Sequence, residues 1–138
     1  MSVVLKMEAQ KSSLYRELEN LMLWFIPVGN NIPNDFALRN LGEKLQCELL
    51  DAMTACSLAL QTQDLAQRLE LISLIKVHIT AVQGITKVFV EYSSRSGNVR
   101  RVISQRQREA LLKMMSSIGG QIGRWAKSTQ SKISKPLD

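Results

Sequence analysis

The chain reads as all-α, an antiparallel up-down four-helix bundle. Three observations carry this. Four segments place apolar residues at spacings of three and four, and none sustains strand-like alternation. The connections between them are mostly short and rich in turn formers. A length of 138 residues with 45% hydrophobic and 22% charged side chains suits one domain with its own core. The aromatic share of 5% is low for a β-sandwich or for a strand binder built on stacking platforms.

The first helix aligns Leu14, Leu18, Leu21, Met22 and Phe25 on one face. Pro27 is expected to kink or end it, ahead of the break Val28-Gly29-Asn30-Asn31-Ile32-Pro33. Trp24 falls off this face and reads either as an exposed interface anchor or as packing on a second side. Asn34 is the expected N-cap of the second helix, with Asp35 in the first turn. Leu38, Leu41, Leu45, Leu49, Ala52, Met53 and Cys56 make its stripe, which fades near Leu60.

Thr62 is the expected cap of the third helix, whose apolar face runs through Leu65, Leu69, Ile72, Ile75, Ile79, Val82, Ile85 or Thr86, and Phe89. The sustained 3.6-residue period outweighs its β-branched content. Gly84 within it predicts a close packing contact. Residues 93–98 read as a loop, and Ser104 with Gln107 as a capping box opening the fourth helix. That helix is expected to bury Leu111, Met114, Met115, Ile118, Ile122 and Trp125. The domain spans 1–127, and residues 128–138 read as a basic, disordered tail.

Charge is distributed unevenly. Residues 95–138 hold ten Lys/Arg against Glu109 and Asp138, a net +8, whereas the first 94 residues hold eight against ten acids, a net −2. The cations are Arg95, Arg100, Arg101, Arg106, Arg108, Lys113, Arg124, Lys127, Lys132 and Lys135. Such clustering points to a polyanion, because Lys/Arg displace condensed counterions from phosphates. A solvated face with a basic tail is the other reading. On a helical wheel, Arg106, Lys113, Arg124 and Lys127 lie about 160–220° from Leu111, opposite the core. Ser116, Gly119, Gly123 and Ala126 form a small-residue seam between core and cations, suited either to close packing inside the bundle or to a subunit interface.

Chemistry-bearing motifs are sparse. Cys47 and Cys56 face opposite sides of one helix, and the chain's single histidine, His78, lies far in sequence from any carboxylate. There is no phosphate loop, nucleophile elbow or HExxH, so neither an enzyme, a metal site nor a cofactor is expected. The N-terminus has too short an apolar run for a signal peptide, and the longest apolar run, Leu21 to Val28, is far short of a membrane span. A cytoplasmic protein without a membrane partner is the simplest expectation.

The end of the fourth helix, Ser117-Ile118-Gly119-Gly120-Gln121-Ile122-Gly123-Arg124-Trp125-Ala126-Lys127, resembles the terminal motif of a family of small bacterial four-helix bundles. Leu23-Trp24-Phe25-Ile26-Pro27, Ile32-Pro33 and Leu41-Gly42 match in the same order. One branch is encoded in 23S rRNA intervening sequences. The other, the accessory variability determinants (Avd) of diversity-generating retroelements, is the nearer because of the cationic end. The resemblance implies a homo-oligomeric ring, a pentamer. It also implies a non-enzymatic protein that binds RNA or DNA and a reverse transcriptase during mutagenic cDNA synthesis. A bundle scaffold for an acidic protein is the alternative, and peripheral binding of the tail to anionic membranes a weaker one.

Overall fold

The computed structural model describes residues 12–95 and 102–134, without the side chains of 93–95, and these form four helices and no strand. Helix α1 spans Ser13–Asn30, α2 Phe36–Gln61, α3 Leu65–Arg95 and α4 Gln105–Ser134.

Helix α1 starts where the N–H of Tyr15 donates to Ser12 Oγ at 3.0 Å. It continues through Pro27 instead of stopping there. A proline leaves the carbonyl four residues back without its helical donor. That residue, Leu23, is 64% exposed, so the break falls on the watered side of the helix. Asn31 closes the last turn through its N–H to the Val28 carbonyl. The N-cap of α2 is Asp35, not Asn34: Asp35 has extended backbone and its Oδ1 accepts from Leu38 N–H at 3.1 Å. The Asp35 N–H is turned back to the Pro33 carbonyl at 2.7 Å, which holds Asn34 in the turn. Gly42 lies under this turn, with Ile32 Cδ1 2.6 Å from where a Cβ would stand.

Thr62 ends α2 rather than starting α3. The cap of α3 is Asp64, whose Oδ1 accepts from the N–H groups of Ala66 and Gln67. Helix α3 runs to Arg95, so the first part of the expected 93–98 loop is helical; the remainder lies outside the described residues. Gly84 makes no close contact; nothing stands within 4 Å of its Cβ position. The capping box of α4 forms as expected, with Gln107 N–H donating to Ser104 Oγ at 3.2 Å and Ser104 N–H to Gln107 Oε1 at 2.8 Å. Beyond Lys127 the helix persists to Ser134, because Thr129 continues the core stripe and is 2% exposed. The stretch expected to be a tail is therefore helical over 128–134.

Each helix packs against its neighbours in sequence, and α4 closes the set against α1; no diagonal pair of helices makes contact among the described residues. The core is built from the expected stripes, with Leu18, Leu21, Leu38, Leu45, Leu49, Ile72, Ile75, Val82, Phe89 and Ile118 fully buried, whereas Leu65 and Leu69 of the third helix are only half-buried and stand outside it. Val102 and Ile103, just ahead of α4, are buried too and were not anticipated. Helix α3 carries a second, outward stripe of Leu74, Val77, Val88 and Tyr92, 36–60% exposed. With two apolar faces, Leu65–Tyr92 is long and apolar enough to cross a membrane by length and composition, the one such helix among the described residues.

One ionic cluster ties α2 to α3. Glu48, 8% exposed, meets His78 Nδ1 at 2.6 Å through Oε2 and Lys44 Nζ at 3.0 Å through Oε1. The hydrogen bond from His78, then that from Lys44, holds the Glu48 carboxyl below its ordinary range. A lowered folded-state value means that this stabilisation is complete above the unfolded carboxylate value, about 4.3, and is lost as pH falls through the folded one. Glu48→Gln is expected to cost about 1–3 kcal/mol near neutrality. In urea denaturation from pH 7 to 3 its midpoint should also fall less steeply with acid than the wild type's. Parallel acid profiles would refute the assignment.

Candidate nucleic-acid interface

The rotation of α4 is set by Leu111, Met115, Ile118 and Ile122, all buried, and by two hydrogen bonds to α1. Trp24 Nε1 donates to the Gln107 carbonyl at 2.8 Å, and Ser13 Oγ to Gln121 Oε1 at 2.6 Å. Met114 and Trp125 are half-buried against the core. With the helix held this way, Arg106, Lys113, Arg124 and Lys127 all stand exposed on the side away from the core. Arg108 and Lys132 are exposed as well, but about 60° to either side of Leu111, well round the helix from that row. Arg95 closes α3, but its side chain and the whole of Arg100, Arg101 and Lys135 lie outside the described residues.

Helix α4 carries six Lys/Arg and one acid, Glu109, a net +5. Among the described residues, no ion pair joins a carboxylate to an α4 cation. Even Glu109 and Lys113, spaced i to i+4, form no bridge within 4.0 Å. Gly120 gives Arg124 a seat: its Nη1 lies 3.1 Å from the glycine's Cβ position, against the helix surface. From Arg106 to Lys127 the row extends about 32 Å, the length of roughly nine phosphates of one strand. A row of unpaired cations at this spacing can bind a polyanion by counterion displacement without reading its bases.

The expected interface residues separate. Trp24 is half-buried, and its indole is used within the chain as the clasp to α4. Gly119 and Gly123 have nothing within 4 Å of their Cβ positions, and Ser116 is exposed. The seam is thus not consumed by packing inside the bundle; Ala126 alone of its members packs against the core. The Glu48–His78 pair was missed, since partners 30 positions apart leave no local signal. Arg68 was missed for the same reason: its guanidinium is bound to the Ala59 and Thr62 carbonyls at the end of α2.

Other chemistry is little represented. Cys56 is buried and its thiol is pushed up to about 11 by desolvation, whereas Cys47 is exposed, as their opposed faces require. No group of three or more His, Cys, Asp or Glu side chains is placed to hold a metal ion among the described residues. Comparisons with protein-family models, curated proteins and solved structures return no match.

Trp24→Phe keeps the ring but removes the donor to Gln107. The expected loss is about 1 kcal/mol of stability, read from the denaturant midpoint. An unchanged midpoint would show that the clasp contributes nothing.

Proposed function

We propose that this chain is a non-enzymatic, cytoplasmic nucleic-acid-binding subunit, the accessory partner of a reverse transcriptase in a diversity-generating retroelement. The observation that carries the nucleic-acid reading is the α4 row of exposed cations without carboxylate partners. The reverse transcriptase and the retroelement setting rest on the resemblance of the Ser117–Lys127 segment to the Avd branch. An antiparallel arrangement is supported by pairings that run in opposite directions: Ser13 with Gln121 and Trp24 with Gln107, Glu48 with His78 and Ala59 with Arg68.

Charge reversal at Arg106, Lys113 and Lys127 together is expected to weaken binding of a labelled single strand at least tenfold. The slope of log affinity against log salt should shrink by about 2, given roughly 0.7 per phosphate contact. Fluorescence anisotropy at several salt concentrations measures both. If affinity and slope are unchanged while circular dichroism shows intact helices, the row is only a solvated face.

The ring-like homo-oligomer, a pentamer by resemblance, is supported by two faces left open. These are the Gly119–Gly123 seam of α4 and the apolar stripe Leu74, Val77, Val88 and Tyr92 of α3. Two unlike patches on one chain suit a head-to-tail contact, which closes into a ring when the rotation permits. Val77→Glu should reduce the mass measured by light scattering to that of one chain while leaving helix content unchanged. A wild-type protein that is already monomeric would overturn the ring.

A further inference from the structure

At the end of the bundle where α1 begins, Ser12, Ser13, Leu14, Leu60, Arg68, Gln121, Arg124 and Trp125 line an open surface cavity of about 510 Å³. Its volume falls within the roughly 300–1,000 Å³ of small-ligand sites. Among the described residues, its lining holds two guanidinium groups and no carboxylate. Arg68 is half-buried and fixed. Its Nε and Nη2 are spent on the Ala59 and Thr62 carbonyls, and the rest of its five N–H donors are left for a ligand. Arg124, exposed, lies along the helix surface over Gly120, with its Nη1 near the glycine's Cβ position. Gln121 is likewise oriented, accepting from Ser13 Oγ and donating to Ser117 Oγ. One fixed and one exposed guanidinium, with no carboxylate among the described lining residues, make an anion receptor, and guanidinium suits the planar, two-point recognition of phosphate. A phosphate alone would leave Trp125, Leu14 and Leu60 unused. These give the cavity an apolar wall against which a base can stack.

We propose that this cavity binds a nucleoside phosphate, with the phosphate on Arg68 and Arg124 and the base against Trp125. The ligand is either a free mononucleotide or the phosphorylated end of a strand. The inference rests on the nucleic-acid reading of α4 in one respect: Arg124 belongs to both the row and the cavity, so a strand lying along α4 would bring its terminus here.

The test uses the full chain with 5′-phosphorylated, 3′-phosphorylated and unphosphorylated versions of one labelled single strand, and calorimetric titration with AMP and with inorganic phosphate. A terminal phosphate at one end is expected to raise affinity about tenfold, as a charge-assisted pair of hydrogen bonds would. Arg124→Gln should abolish that preference. The variant reversed at Arg106, Lys113 and Lys127 should bind every strand more weakly but keep the preference. AMP binding without an end preference would identify the free nucleotide as the ligand. Equal affinity for all three strands, with no heat from AMP, overturns the cavity proposal and leaves the α4 row standing. AMP binding with no affinity for any strand overturns the row instead. Inorganic phosphate binding as tightly as AMP overturns the role of Trp125.

Discussion

Closure of the bundle depends on α4 lying against α1 as well as α3, since that contact joins the first described helix to the fourth. Its core stripe alone would tolerate some rotation about the helix axis, since Met115 and the half-buried Met114 are flexible fillers. The two hydrogen bonds from α1 remove that freedom near opposite ends of the contact, at Gln107 and Gln121. Once the rotation is fixed, everything else on the helix follows. Arg106, Lys113, Arg124 and Lys127 face water, Trp125 meets the cavity, and the Gly119–Gly123 seam is left open. A turn of one residue position, about 100°, would carry the cationic row toward a neighbouring helix, at a desolvation cost the core could not offset.

Helix α4 is also where stability and binding oppose each other. A net +5 on one helix is self-repulsive, whereas α1 and α2 each carry a net −1. Because no carboxylate among the described residues relieves the repulsion, the apolar contacts of Leu111, Ile118 and Ile122 must outweigh it. A polyanion would relieve it from outside, so occupancy of the row and stability of the bundle are linked.

What could be read from the chain itself was whatever depends on neighbours in sequence. The Ser104–Gln107 box formed as expected because both partners sit within one turn. The core stripes and the outward cations followed from helical period. Caps decided by turn geometry were displaced: Asp35 replaced Asn34 because of its backbone bond to Pro33, and Asp64 replaced Thr62. Pairings across the bundle left no trace. Trp24 finds a carbonyl 83 positions away, and Glu48 a histidine 30 positions away. The glycines misled in one respect. Gly84 suggested a close contact within the chain, yet its surroundings are open, and of the two readings of Gly119 and Gly123, packing inside the bundle or a subunit interface, the first is not met. Gly42 and Gly120, whose approach distances are short, looked no different in sequence.

The three glycines within five residues of α4 have a kinetic consequence. Each lowers local helix stability by about 1 kcal/mol relative to alanine, and Gly119 and Gly123 gain no packing in return within the chain. In the single chain, the distal part of the helix, from Gly119 to Ser134, is therefore expected to open more readily than the glycine-free stretch before it, with its amides exchanging sooner. Such opening would separate Gln121, Arg124 and Trp125 from Ser13 and Arg68 without unfolding the remaining helices. The cavity would then assemble and come apart on its own timescale, which couples entry and escape of whatever it holds to the breathing of a single helix end.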